Sequence, residues 1–226
     1  MVLSAQGVSK RYLRKAEGSN HFFAVQKTDF TLQSGRLVML TGRSGSGKTT
    51  LLHMLSGLLA PTEGKVLLDG QDLYALADQA ISRLRNAHIA VIPQGKAAVA
   101  SLSVLENICL PRLLYGAEDA HAEAAAPMER LEIGHLADAA PSELSGGELR
   151  RMSIARALAQ HAEVLLADEP TGDLDDESTH RVLAMLKESA QSGAAVLLVT
   201  HEMEAARYAD EVWRMDSGKL FREDGV

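Results

Sequence analysis

The sequence predicts an α/β fold on a mostly parallel sheet covered on both faces, and three observations predict it. Short, mainly apolar runs at 36–41, 164–167 and 195–200 read as strands buried on both sides. Helical segments alternate with these strands, the pattern of parallel strands joined by crossovers. A glycine-rich loop stands between the first run and a helix, at the carboxyl end of a strand where α/β proteins bind ligands.

Taken in order, residues 2–10 and 24–33 read as strands separated by a polar loop containing Lys15 to Asn20. Arg36 to Thr41 is a short apolar strand. The glycine loop follows, and a helix is expected from Lys48 to about Leu58. Pro61 to Gly64 form a turn before a strand at 65–68, and Asp69-Gly70 is a hairpin signal. A helix is expected at 78–86 and a strand from His88 to Pro93. The stretch from 102 to about 160 is mostly helical and, lying between two core strands, reads as an inserted subdomain. Its Ala-rich run, 120–126, is a strong helix former, and Pro127 is expected to break or kink it. Strands at 164–167 and 195–200 alternate with helices at 176–191 and 202–209. Glu211 to Met215 and Gly218 to Phe221 close the chain as a hairpin.

Composition narrows the function. The 226 residues are 46% hydrophobic and 23% charged, ordinary values for a soluble globular protein. The net charge of −7 argues against a DNA-coating protein, which carries a basic stripe. The single cysteine, Cys109, excludes an internal disulfide, fits a reducing compartment and reads as a small core residue. Met1 to Lys10 lack the apolar core of a signal peptide, and no run approaches the ~20 apolar residues of a membrane span.

Gly42, Arg43, Ser44, Gly45, Ser46, Gly47, Lys48 and Thr49 match G-x-x-x-x-G-K-[ST] in full, after a strand and opening a helix. Glycines let several N–H groups point inward, and the helix adds its positive end. The result is a nest for two phosphates. Lys48 reaches the β/γ oxygens, and the Thr49 hydroxyl is placed for Mg²⁺. Val164 to Ala167 end in Asp168 and Glu169. Asp168 is placed to hold Mg²⁺ through water, and Glu169 to orient and deprotonate an attacking water. Two acids ending a strand usually make a solvated turn; here they share a chain with the phosphate nest.

Ser145, Gly146 and Gly147, at the start of another helix, make a second anion site. One fold has little use for a second such site unless a second molecule is present. Leu144 to Glu148, with Leu149 to Leu158 behind them, resemble the Leu-Ser-Gly-Gly-Gln signature and following helix of the ABC transporter ATPases. Glu148 stands where the family usually has Gln. The other family motifs follow in order. Gln94 resembles the glutamine that senses Mg²⁺ and the attacking water. Gly172 to Asp175 resemble the loop that touches a partner subunit. His201 resembles the switch histidine on the γ-phosphate. Tyr12, with Phe22 and Phe23 nearby, is placed as the aromatic residue that stacks on adenine. Pro93 departs from the residue types more common before the glutamine.

The resemblance covers the whole chain and implies the following. The fold is a P-loop NTPase core with an N-terminal antiparallel β subdomain and an inserted α-helical subdomain. It forms one domain over 1–226, with a RecA-like core at about 1–95 and 160–226 and helices at about 96–159. The catalytic set is Glu169, His201, Lys48 and Gln94. The nucleotide set is Tyr12, Gly42 to Thr49, Thr50, Ser145, Gly146, Gly147, Glu148 and Asp175. The metal set is Thr49, Gln94 and Asp168. ATP and Mg²⁺ are the cofactors. The partners are integral-membrane permease subunits and a second ATPase subunit, a homodimer with head-to-tail closure; nucleic acid is not expected. The location is cytoplasmic, on the inner face of the cell membrane.

Ala167 to Asp175, the Pro141-Ser142-Glu143 run and the polar insert after Tyr12 resemble the lipoprotein-release, macrolide-efflux and cell-division branch, which drives export or transmits force across the membrane. A regulatory ATPase acting on a membrane-anchored cell-wall or signalling partner would carry the same motifs. A soluble DNA-repair or translation ATPase would bring a long coiled coil, zinc hooks or a second cassette, none of which is in the sequence. A metabolite kinase would not explain Leu144 to Glu148.

Overall fold

The computed structural model describes residues 1–13, 21–95 and 97–223. A four-stranded antiparallel sheet has the order β2-β1-β4-β5, from β1 (Val2–Leu13), β2 (His21–Gln33), β4 (Glu63–Leu68) and β5 (Gln71–Asp72). A six-stranded sheet has the order β10-β9-β3-β8-β7-β6. Its strands are β3 (Leu37–Thr41), β6 (Ile89–Ile92), β7 (Val164–Asp168), β8 (Ala195–Val199), β9 (Glu211–Asp216) and β10 (Lys219–Glu223). All its pairings are parallel except β9 with β10, so the expected mostly parallel sheet is present.

Strand alternation sorts the core into two layers. Leu37, Met39, Leu165, Ala167, Val196 and Leu198 face one cluster. It is built with α3 (Val104–Leu113), α4 (Ala120–Arg130), α5 (Gly146–Leu158) and α6 (Asp176–Gln191). Val38, Leu40, Val164, Leu166, Leu197 and Val199 face the other cluster, with the four-stranded sheet and α1 (Lys48–Leu55). Strands β3, β7 and β8 are buried along their whole length. That explains their apolar character up to the polar ends Thr41 and Asp168, each buried Leu or Val contributing about 1.5–3 kcal/mol. Phe30 and Trp213 meet edge to face at 5.5 Å and tie the two sheets together.

Several boundaries differ from the sequence reading. The first hairpin is longer, because Tyr12 pairs opposite Phe22 and Leu13 opposite His21; the loop expected at Lys15 to Asn20 lies outside the described residues. Helix α1 stops at Leu55, since Gly57 takes φ +74 and ends the helix as glycine does. The Asp69-Gly70 turn has φ 46° and 85° and joins β4 to β5 as expected. Helix α4 runs through Pro127 without a break. The proline gives up one N–H bond but is buried beside Met128, and packing holds the helix together. After α2 (Asp78–His88) the chain enters β6. Residues 203–208 form 3₁₀ turns instead of an α-helix. Cys109 is buried and its thiol reaches the Ala120 carbonyl at 3.4 Å; burial raises its pKa. Among the described residues, no helix is long and apolar enough to cross a membrane.

Candidate active site

The site forms at the carboxyl ends of four neighbouring parallel strands. The phosphate loop leaves β3, His201 follows β8, Asp168 ends β7 with Glu169 just after it, and Gln94 follows β6. Sheet order thus assembles residues separated by over a hundred positions in sequence, as the crevice of an α/β sheet does.

The loop is wedged between two strands. A Cβ at Gly47 (φ +110) would stand 2.0 Å from the Ala24 carbonyl oxygen of β2, and one at Gly42 (φ +144) 2.2 Å from that of Met215 in β9. Glycine at both positions is therefore a requirement of space as well as of φ. The Ser46 carbonyl accepts from Gly218 N at 2.9 Å, which staples the loop to the β9–β10 turn. Lys48 is buried, and its Nζ donates to the carbonyls of Gly42 at 2.7 Å and Arg43 at 3.1 Å. The ammonium lies across the loop, where anionic oxygens would replace those carbonyls. Arg43, Ser44 and Gly45 are exposed along the loop, and Thr50 is half-buried in the first turn of α1. The Tyr12 and Phe22 rings stack at 5.8 Å and are both exposed. Phe22 is two residues from Ala24, which places this aromatic pair within about 7 Å of chain from the loop. Phe23 is exposed too.

Asp168 is only 1% exposed. Burial pushes its carboxyl pKa up, the Thr49 hydroxyl bond opposes that, and the Glu169 charge adds to the rise. Its Oδ2 is buried and, among the described residues, has no hydrogen-bond partner. A hydroxyl and an orphaned carboxylate oxygen side by side are the hard oxygen donors that suit a small divalent cation.

Glu169 sits at φ +46, a left-handed conformation costing an L-residue about 1 kcal/mol or more. Its N–H donates to the Val199 carbonyl at 2.8 Å, which turns the side chain off the strand end. Gln94 Nε2 donates to its Oε2 at 3.3 Å, and His201 Nδ1 lies 3.3 Å from its Oε1. The structure thus gathers Gln94, Glu169 and His201 about one carboxylate, beside Asp168, Thr49 and Lys48. That carboxylate can accept a proton from water while the flanking groups orient it.

The Ser145 turn is elsewhere. Ser145 N-caps α5: its Oγ accepts from Glu148 N at 3.3 Å, and Glu148 Oε2 accepts from Ser145 N at 2.7 Å. This capping box explains why an acid serves at 148. Bonds from the Ser145 side chain and backbone hold the Glu148 carboxyl below the usual range. Among the described residues no hydrogen bond joins Ser145, Gly146, Gly147 or Glu148 to the phosphate loop. Asp175 caps α6, accepting from Ser178 N at 2.8 Å and Ser178 Oγ at 3.1 Å, and these bonds lower its pKa.

The sequence reading overlooked Arg150. It is buried and donates to the carbonyls of Pro93, Gly95, Asp168, Glu169 and Pro170. Its signal was present: Arg150 shares a helix face with Ile154 and Ala157, at helical spacing and both buried.

Comparison with known proteins places this geometry. A family model described as ABC transporter matches residues 25–172. The lipoprotein-releasing system ATP-binding protein LolD of Pseudomonas syringae pv. tomato is 38% identical, over 97% of this chain and 96% of the relative. The macrolide export ATP-binding/permease protein MacB 2 of Aeromonas hydrophila is 36% identical, over 99% of this chain and 34% of that longer protein. The dimeric post-hydrolysis structure of the ATP-binding cassette MJ0796, bound to ADP and Pi, superimposes with a TM-score of 0.90 at 29% identity, covering 99% of this chain and 100% of that one. The strand-end site and these matches together make the chain a member of the ABC transporter family, one of its ATP-binding, ATP-hydrolysing cassettes.

Proposed function

We propose that this chain hydrolyses ATP as one half of a head-to-tail pair and drives a separate membrane permease from the inner face of the membrane, in a lipoprotein-release type of system. One observation carries the paired reading. The Ser145 turn offers a helix N-terminus suited to an anion but stands apart from the phosphate loop of its own chain. A second copy turned head to tail would bring it to the γ-phosphate held by Lys48. The dimeric MJ0796 cassette supports the same arrangement. The near full-length match to a lipoprotein-releasing ATP-binding protein supports the branch and a permease on a separate chain. On this reading the helices of about 96–159 form a subdomain on the core of about 1–95 and 160–226, and the exposed stretch after Gln94 meets the permease.

The steps follow from the side chains. The loop N–H groups and Lys48 hold the β- and γ-phosphates, and the Tyr12–Phe22 pair offers a flat face to the adenine. Asp168 and Thr49, with Gln94 adjoining, would hold Mg²⁺, which would supply positive charge to offset that of the phosphate oxygens. Glu169 takes a proton from water as the water oxygen bonds to the γ-phosphorus and ADP departs. His201 orients Glu169 and faces the transferred phosphoryl group. Asp175 and its loop lie at the partner's side.

The test is to tag the chain, solubilise native membranes gently with ATP present, and identify what co-purifies by mass spectrometry. A permease of few membrane spans with a large external domain is expected. Recovery of DNA, ribosomes or soluble factors without any membrane protein would overturn the permease reading and leave the ATPase intact.

A further inference from the structure

None of these steps uses the arginines of helix α5, and Arg150 is the most completely bonded of them. Arg150 is 3% exposed. A guanidinium has five N–H donors and no acceptor, and here every donor ends on a main-chain carbonyl. Nε donates to Pro170 at 2.8 Å. Nη1 donates to Pro93 at 2.5 Å and Gly95 at 3.2 Å. Nη2 donates to Asp168 at 2.8 Å and also to Glu169. The charges of Asp173, Asp168 and Glu169 act on it through space.

The five carbonyls belong to two loops. Pro93 and Gly95 bracket Gln94; Asp168 and Pro170 bracket Glu169. The side chains of Gln94 and Glu169 meet at 3.3 Å, so one cation holds from behind the two backbones whose side chains meet in front. It also grips the Glu169 carbonyl at a residue kept at φ +46. An apolar side chain could fill the same space without desolvating a charge, but it would leave five carbonyls, those of buried Asp168 and Pro170 among them, to find other donors.

The far end of the Gln94 loop is fastened to the same helix. Arg156 donates to the Asn107 carbonyl at 2.8 Å and to its Oδ1 at 3.0 Å. Asn107 in turn accepts from Val99 N and donates to the carbonyls of Val99, Leu102 and Ser103. The chain from Pro93 to Ser103 is therefore anchored to α5 at both ends, and α5 begins at the Ser145 turn.

We propose that Arg150 is a positioning residue for hydrolysis. It locks the Gln94 and Glu169 loops into one unit and ties that unit to the Ser145 helix, so that a push on the exposed stretch after Gln94 displaces the base and the partner-facing turn together. This rests on the reading of Glu169 as the base.

The test uses the full chain with Arg150→Ala, Arg150→Lys and Glu169→Gln, each assayed well below its own Tm. Fluorescent-ATP titration gives affinity, and steady-state turnover gives kcat and KM. Arg150→Ala is expected to bind ATP within about twofold of the parent and to lose kcat by about tenfold or more, the mark of an interaction needed only for the chemical step. Arg150→Lys, with three donors, is expected to recover part of that loss, and it carries the test if Arg150→Ala does not fold. A folded Arg150 variant with parental kcat, or one losing affinity and kcat alike, overturns the proposal. If Glu169→Gln stops turnover while Arg150→Ala does not, only this inference falls; if Glu169→Gln turns over normally, the site reading falls first.

Discussion

Gln94 and Glu169, 75 positions apart in sequence, meet with Nε2 and Oε2 at 3.3 Å. They lie at the ends of adjacent parallel strands, β6 and β7. His201 reaches the other oxygen of the same carboxylate from the end of β8. A carboxylate held on both oxygens is an oriented one.

Glu169→Gln keeps the size and hydrogen-bonding capacity of the side chain and removes its ability to take a proton. ATP binding is expected to stay near parental while kcat falls by about 100-fold or more. Gel filtration with ATP should show a trapped closed dimer. Turnover close to parental would remove Glu169 from the base role.

Lys48→Ala deletes the ammonium that lies across the phosphate loop. Nucleotide affinity is expected to fall at least about tenfold, or 1.4 kcal/mol, in a fluorescent-ATP titration. Unchanged affinity would show that the loop N–H groups alone hold the phosphates.

Ser145→Arg places a long cation at the first turn of α5. ATP affinity of the monomer is expected to stay within about twofold, because the phosphate loop is elsewhere in the chain, while ATP-driven dimerisation is lost. A large loss of monomer affinity would place Ser145 in the site of its own chain.

Asp168 has its folded pKa raised by burial, opposed by Thr49 and reinforced by Glu169. A raised carboxyl pKa favours the protonated form in the folded state. Without nucleotide or divalent ion, its effect is to reduce stability as pH rises from the unfolded pKa through the folded one. Asp168→Asn should then raise Tm at neutral pH, at roughly 2–4 °C per kcal/mol for this chain length. The rise should shrink toward acidic pH, and Mg²⁺-dependent turnover should disappear. Differential scanning calorimetry across that range, with an unchanged or lower neutral Tm, would refute it.

Asn107→Ala strips the donors and acceptor that hold Val99, Leu102 and Ser103 and leaves Arg156 short of one partner. Buried groups left unpaired cost about 1–3 kcal/mol each. A Tm drop of several degrees is expected, and an unchanged Tm would show that water replaces these bonds.

Much of this was legible before any coordinates. Unbroken apolar runs announce doubly covered strands, and a phosphate loop between strand and helix announces its own geometry, because both signals are local. Boundaries that depend on neighbours were less legible. Helix α1 ends early at Leu55, ahead of Gly57, Pro127 is carried inside α4 by packing, and residues 203–208 tighten into 3₁₀ turns. Glu148 looked like a departure from a motif; it is half of a capping box.

The fold class, the strand-end acids, the phosphate loop and the family are written in residue type and order along a few neighbouring positions. Tertiary structure alone decided that Gln94 and His201 converge on Glu169, and that a buried arginine on α5 binds both loops from behind. Parallel strands bring distant chain segments side by side, and one side chain's bonds to backbone carbonyls leave no mark on the residues that own them.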